Sequence, residues 1–233
     1  MKKLWQTEWF HIKFKDFINV DSENIADEKF YEKFYEKFKS YDDLPQKYTK
    51  NKIGIANDLI GFSKSYNKIM SIGCGNGIIE DYIVKNSGIS ILAIEPSNNS
   101  RWLKNKNNIR FISGFFPNCI ATAEKYEFGY CSSIDYVFND SEYVNFLKSI
   151  YDYKFKEFFL TEVIVPSNCF KSNIKYFLKS LLYKMGIYKH KGQFWGYLRT
   201  IDEHIEFLKN VGFKNIEYGQ HNHGTYWIKV GNE

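Results

Sequence analysis

The chain has 233 residues, a length that fits one domain or two small ones. A single domain of this size would bury roughly 70–75% of its unfolded surface, enough for a true core. With 44% hydrophobic and 25% charged residues and a net charge of +5, the composition excludes a disordered or collagen-like chain, and the charge is too mild for a dedicated nucleic-acid binder. Aromatic residues make up 19% of the chain, with 21 Phe and 18 Tyr, which matches the codon bias of an AT-rich genome.

The start of the chain, with Lys2 and Lys3, breaks its apolar run at Gln6, Thr7 and Glu8, so it does not read as a signal peptide. No apolar run reaches the ~18 residues of a membrane span. Cys74, Cys119, Cys131 and Cys169 form no C-x-x-C pair and read as free thiols of a cytoplasmic protein.

Residues 1–66 read as mostly helical. From Asp27 to Lys39, Phe30, Phe34 and Phe38 recur every four residues with Tyr31 and Tyr35 beside them, which predicts a helix with one apolar face. That helix either packs on the main body or helps close a ligand pocket. Asp42 to Pro45 is a break, and Tyr48 to Ser63 reads as a second helix.

From Lys68 the texture alternates. Strands are predicted at Ile69–Ile72, Ile89–Ile94, Ile109–Ile112, Phe128–Ser132 and Phe158–Val165. Helices are predicted at Ile78–Asn86, Ser97–Lys104 and near Ser141–Tyr151. This alternation indicates a parallel sheet covered on both faces. Residues 166–199 interrupt it with an amphipathic helix marked by Phe170, Ile174, Phe177, Leu181 and Met185. Thr200 caps a further helix, with Glu203 at the capping-box position and Gly212 at its end. Lys214–Tyr218 and Thr225–Val230 then close the chain as an antiparallel pair. The whole reads as one domain, 1–233, with an N-terminal helical part (1–66) and an inserted basic helical cap (166–199).

The central motif is Ser71-Ile72-Gly73-Cys74-Gly75-Asn76-Gly77, between a strand and a helix. Glycines there let the backbone turn sharply and approach a ligand, and the helix N-terminus offers unpaired N–H groups. The spacing is not the G-x-G-x-x-G of dinucleotide binders, and no P-loop Lys-Ser or Lys-Thr follows. Glu95 ends the next strand, 22 residues after Gly73, where a carboxylate can accept hydrogen bonds from ribose hydroxyls. The ligand is therefore of adenosine type.

Ile69-Met-Ser-Ile-Gly-Cys-Gly-Asn-Gly, Ile91-Leu-Ala-Ile-Glu-Pro-Ser and the terminal Thr200-to-Phe213 segment together resemble the class I S-adenosylmethionine-dependent methyltransferases. The resemblance spans roughly residues 50–230. It implies a Rossmann-like seven-stranded, mostly parallel α/β sheet with an antiparallel last strand. It places Gly73, Cys74, Gly75 and Gly77 under the methionine part of S-adenosylmethionine, with Glu95 on the ribose and Pro96 and Ser132 nearby. Two departures stand out. Ser71 occupies a position that is usually Asp or Glu in the family. The segment Ile112-Ser-Gly-Phe-Phe-Pro lacks the Asp that often meets the adenine amine, so Phe115 or Phe116 is expected to cover the adenine face.

Family members often carry their acceptor-facing residue after the fourth strand, which points to Asp135 and Tyr136. Asp135 is the candidate base or orienting group, and His221 in the final hairpin is another. Asn139 and Asp140 together with Asp135 could suggest a metal-assisted reaction, but no second acidic cluster clearly supports it, although Glu162 lies on the fifth strand, and no metal is expected. Residues 166–199 hold seven basic residues and no acidic ones. As a lid, this segment would offer Lys171, Lys175, His190, Trp195, Tyr197 and Arg199 to a small, anionic acceptor such as a phosphorylated or nucleotide-linked sugar, methylated on oxygen. The alternatives are a lipid-linked acceptor reached through weak contact with a membrane surface, and a non-catalytic S-adenosylmethionine-binding protein. Nucleic acid is not an expected partner, and the sequence does not specify an oligomeric state.

Overall fold

The computed structural model describes residues 2–97, 102–104, 106–120, 124–166, 182–183, 185 and 192–231. A seven-stranded sheet forms its centre. The strands are β4 (Lys68–Ile72), β5 (Ser90–Glu95), β6 (Ile109–Ser113), β7 (Phe128–Ser132), β8 (Glu157–Val163), β10 (Asn215–Gln220) and β11 (Tyr226–Gly231), in the spatial order β10-β11-β8-β7-β4-β5-β6. Neighbours from β8 to β6 pair in parallel, and β11 runs antiparallel to both β8 and β10. The sequence-based fold class is therefore met, including the antiparallel last strand.

Strands buried on both faces carry continuous apolar runs, as Ile91 to Ile94 does on β5. Two apolar layers sandwich the sheet. One contains Ile55, Leu59, Ile79, Ile83 and Phe159, and the other Leu147, Ile150, Phe158, Leu208 and Phe213. The helices supplying them are α1 (Glu28–Tyr35), α2 (Gln46–Phe62), α3 (Ile78–Ser87), α4 (Asp140–Tyr153) and α5 (Ile201–Val211). Thr200 caps α5 as expected: its Oγ1 accepts from Glu203 N at 3.2 Å, and its own N–H donates to Glu203 Oε2 at 2.7 Å. α1 stops four residues before the predicted Lys39, yet Phe38 beyond its end is still buried.

The N-terminal region differs from the helical expectation. Its first residues form β1 (Lys2–Gln6), β2 (Glu8–Trp9) and β3 (Ile12–Lys13). β1 pairs antiparallel with β9 (Gln193–Leu198), the end of the segment read from sequence as a helical cap. Phe194, Trp195 and Leu198 are buried there, and Trp195 stacks on Phe14 with centroids 5.3 Å apart and rings 5° from parallel. Much of the aromatic excess is spent in this corner, where Trp9, Phe14, Phe30, Phe34 and Trp195 pack edge-to-face or stacked. Most of the helix predicted for 170–185 and the cationic residues 171, 175, 179, 184, 189 and 191 lie outside the described residues, as do Cys169, His190 and residues 98–101 of the predicted Ser97–Lys104 helix. Among the described residues, no helix is long and apolar enough to cross a membrane.

Candidate active site

Strand order reverses direction between β4 and β7, and such a switch point opens a crevice at the carboxyl edge of a parallel sheet. A cavity of about 710 Å³ lies there. Its floor is the glycine turn. Gly73, Gly75 and Gly77 have φ of +73°, +57° and +76°, all in the left-handed region. A Cβ on Gly77 would stand 2.3 Å from Leu103, and one on Gly73 would stand 2.7 Å from Ile134, so two of the three positions are also closed by packing. The turn is pinned from β5: Gly73 N and Cys74 N donate to Ile94 O at 2.8 and 3.1 Å.

Glu95, the last residue of β5, binds the next part of the turn. Its Oε2 accepts from Gly75 N at 2.9 Å, while Oε1 accepts from Ser97 N at 3.0 Å and Ser97 Oγ at 2.6 Å. A carboxylate offers about four acceptor sites, so capacity remains for a ligand hydroxyl. Glu95, Pro96, Gly114, Phe115 and Phe116 all line the cavity. Phe115 is 60% exposed at its rim, whereas Phe116 packs inward on Tyr153 and Phe155. An exposed aromatic face at that rim suits the covering role expected of one of the two.

Beneath the turn, Ser71 is 1% exposed, and its Oγ donates to Glu80 Oε1 at 2.6 Å. Tyr130 OH on β7 donates to the same oxygen at 2.7 Å. Glu80 projects from the first turn of α3, is itself 1% exposed and lines the cavity. Its second oxygen, Oε2, is buried without a hydrogen-bond partner. Burial raises its carboxyl pKa, against the lowering effect of the Ser71 and Tyr130 hydrogen bonds. The sequence pattern drew attention to the missing charge at Ser71; the acidic residue three places after the last glycine was the available signal for the carboxyl group that meets Ser71 in the fold.

The far end of the cavity belongs to the N-terminal helices. Tyr31 and Tyr35 of α1, Tyr48 and Lys52 of α2, and Tyr136 line it. α1 thus helps close the pocket. Burial pushes the Tyr31 phenol up to about 12 and holds Tyr35 and Tyr136 well above their ordinary value. These hydroxyls stay protonated near neutrality. Tyr31 and Tyr136 meet at 3.3 Å, and Asn76 of the glycine turn donates to Tyr48 OH at 3.1 Å. Lys52 Nζ lies 3.3 Å from Ser132 Oγ and forms an ion pair with Glu162. Ser132 Oγ and Ser133 Oγ donate to the same Glu162 oxygen. Ser133 and Glu162 both have φ of +58°, so two non-glycine residues at the ends of adjacent strands are held in a strained conformation beside the cavity. Burial alone would raise the Glu162 carboxyl pKa; the Lys52 charge and the hydrogen bonds to Lys52, Ser133 and Ser132 outweigh it and hold it low.

Other sequence candidates lie elsewhere. Asp135 sits in a 3-10 turn, 2% exposed, with its carboxylate toward His204 at 3.6 Å and not among the residues lining the cavity. Its neighbour Tyr136 does line the cavity, because successive residues of so tight a turn point in different directions. His221 is 4% exposed, held between Asp58 Oδ2 at 2.6 Å and Thr161 Oγ1 at 2.8 Å, and it too is absent from the lining. Trp195 belongs to the core, and Tyr197 on β9 packs edge-on against Phe194. Arg199 is 1% exposed: its guanidinium donates to Asp140 Oδ1, Asp135 O and Phe138 O and stacks over Tyr143. None of these three forms a lid over the acceptor end, and the remaining candidates, Lys171, Lys175 and His190, fall outside the described residues.

The sheet order and the glycine turn define the fold of the class I S-adenosylmethionine-dependent methyltransferases. Solved structures that share it include human N-acetylserotonin methyltransferase with SAM (TM-score 0.59, 14% identity, 91% of this chain and 60% of that one). They also include PigF with SAH (TM-score 0.63, 16% identity, 89% and 60%). The mitomycin 7-O-methyltransferase MmcR is similar as well (TM-score 0.63, 15% identity, 89% and 58%). The chain spans about three fifths of the length of these three proteins. No protein-family model and no curated protein sequence matches it.

Proposed function

We propose that the protein is an S-adenosylmethionine-dependent methyltransferase acting on the oxygen of a small molecule with an aromatic or otherwise flat apolar body. The observation that carries this reading is a single cavity that joins the glycine turn and Glu95 to a tyrosine-walled end containing Lys52. Two features fit the cofactor: the left-handed glycines allow close approach of a ligand to backbone, and Glu80 presents an unpaired buried oxygen.

S-adenosylmethionine supplies a methyl group already activated on a sulfonium, so the chain's task is chiefly to orient the two reactants in line. Orientation of that kind is worth up to about 7–11 kcal/mol. Glu95 would accept from the ribose hydroxyls, and Phe115 would cover the adenine. Tyr31, Tyr35 and Tyr136 would hold the acceptor between apolar faces and donate from neutral hydroxyls. Lys52 is the cationic residue among the described lining residues. Its ammonium, held in place by Glu162, would favour the ionised form of a hydroxylated acceptor, which gives its proton to water before its oxygen displaces S-adenosylhomocysteine from the methyl group. A sugar-phosphate acceptor has less support, since the basic residues expected to bind it are either buried, as Arg199 is, or outside the described residues.

Calorimetry with S-adenosylmethionine and S-adenosylhomocysteine is the first test. Binding by the wild type, weakened in Glu95→Ala, is the expected result; no binding by the wild type overturns the reading. A screen following S-adenosylhomocysteine release should find turnover with phenols and hydroxylated aromatics. Turnover confined to sugar phosphates would refute the acceptor class.

A further inference from the structure

We propose that Glu80 supplies the anionic contact for the α-ammonium group of the cofactor's amino-acid end, so that the charge absent from Ser71 on β4 is provided instead from the first turn of α3. The inference rests on the reading of the cavity as an S-adenosylmethionine site, and it concerns how this particular chain fills it.

The two oxygens of Glu80 are unequally partnered. Ser71 Oγ and Tyr130 OH both reach Oε1, at 2.6 and 2.7 Å. Those two donors fix the carboxyl plane. Oε2 is left buried with no hydrogen-bond partner. An acceptor removed from water and left unpaired is costly, and a carboxylate more so than a neutral group. Such an atom in a native fold calls for a partner that arrives from outside. Glu80 is among the residues lining the cavity, so a ligand bound there lies against its side chain.

The partner's chemistry follows from the surroundings. Lys52, the nearby cation, is already engaged with Glu162 and Ser132. A small cationic donor would meet the buried carboxylate's need in both charge and hydrogen bonding. A primary ammonium is compact and has three donors. Glu95 is tied to the glycine turn through Gly75 N, and Glu80 to Ser71 just before it, so both carboxylates border the turn and line the same cavity. A ligand with ribose hydroxyls at one end and an ammonium at the other would satisfy both. Ser71 then has a clear role: it supplies the hydrogen bond that aims Glu80, acting as a positioning residue.

The test compares two ligands that share the thioadenosine part. S-adenosylhomocysteine carries the amino-acid end; 5′-methylthioadenosine lacks it. Calorimetry on the full chain should show Glu80→Gln losing about ten- to a hundredfold in affinity for S-adenosylhomocysteine, the range for a hydrogen bond to a charged group. Affinity for 5′-methylthioadenosine should stay unchanged. Equal loss for both ligands, or no loss for either, overturns the proposal. The paired substitution Ser71→Asp with Glu80→Ser returns the carboxylate to the strand and should bind S-adenosylhomocysteine better than Glu80→Ser alone. That comparison decides the question if Glu80→Gln fails to fold. A wild type that binds neither ligand removes the underlying cofactor reading, whereas a binding wild type with an indifferent Glu80→Gln removes only this inference.

Discussion

His204 Nε2 stands 3.6 Å from Asp135 Oδ2, and the two side chains are 0% and 3% exposed. On its other side, His204 Nδ1 is 2.7 Å from Tyr143 OH. Burial pushes the Asp135 carboxyl up to about 7, with Arg199 and local backbone hydrogen bonds working against it and Glu162 adding to it. Burial, reinforced by Arg199, pulls the His204 imidazole down to about 3. Between these values both groups are neutral in the fold, whereas the unfolded chain has an ionised Asp and a protonated His. Either way the pair holds one proton.

The two linkage effects therefore oppose one another. The raised Asp135 favours the fold below its unfolded pKa, an advantage lost as pH rises through about 7. The depressed His204 favours the fold above its unfolded pKa, an advantage lost as pH falls toward about 3. In the wild type the pair should contribute almost no slope between about pH 4 and 6.5. Asp135→Asn removes one side, leaving stability to fall by about 3 kcal/mol from pH 6.5 to 4 relative to wild type. His204→Asn should tilt the opposite way, losing stability as pH rises from 4 to 7. Urea midpoints across that range would check it; parallel profiles for the three proteins would contradict it.

The glycine turn separates strain from ligand contact. Gly77→Ala combines a left-handed φ of +76° with a Cβ 2.3 Å from Leu103. It should cost about 2–4 kcal/mol in thermal or chemical unfolding. Gly75→Ala meets nothing within 4 Å and has φ of +57°, so about 1–2 kcal/mol is expected. Because Gly75 lines the cavity, its variant should instead show the larger loss relative to its stability cost in S-adenosylhomocysteine binding. Equal stability losses for the two variants would count against the packing argument.

Lys52→Met leaves Glu162 buried without its counter-ion and should cost about 3–5 kcal/mol. The pH response should also reverse. In the wild type the lowered Glu162 pKa favours the fold above the unfolded value, and that contribution is lost as pH falls. Without Lys52, burial dominates, the pKa rises, and acidification stabilises the variant instead. Lys52→Met with Glu162→Gln should recover part of the loss. Denaturation of the single and double variants at pH 5 and 8 measures both effects.

Arg199→Ala should destabilise by about 3–5 kcal/mol, since it empties a buried site and strips donors from Asp135 O, Phe138 O and Asp140. S-adenosylhomocysteine affinity of the folded fraction should remain near wild type, because Arg199 does not line the cavity. A variant of unchanged stability with impaired methyl transfer would restore Arg199 to the acceptor site.

The seven strands of the central sheet, the capping box of α5, the glycine turn and Glu95 were all legible in the sequence. These features depend on local periodicity, on turn chemistry and on a short span from one strand end to the next. The Gln193–Leu198 segment was not legible as a strand, because its hydrogen-bonding partner is Lys2–Gln6, about 190 residues away, and pairing at that range leaves no mark on neighbouring positions. The same limit governs the site. Asp135 and Tyr136 are adjacent in the chain, yet a 3-10 turn sends one beneath Arg199 and the other into the cavity. Ser71 marked where a charge was missing; the contact that brings Glu80 to it from α3, with Tyr130 from β7, exists only once three elements have packed. The sequence alone thus determined the scaffold and the adenosine-side motif, whose residues lie close along the chain. Tertiary packing decided which carboxylates, tyrosines and lysine face the cavity, because their side chains converge from segments that only the folded sheet brings together.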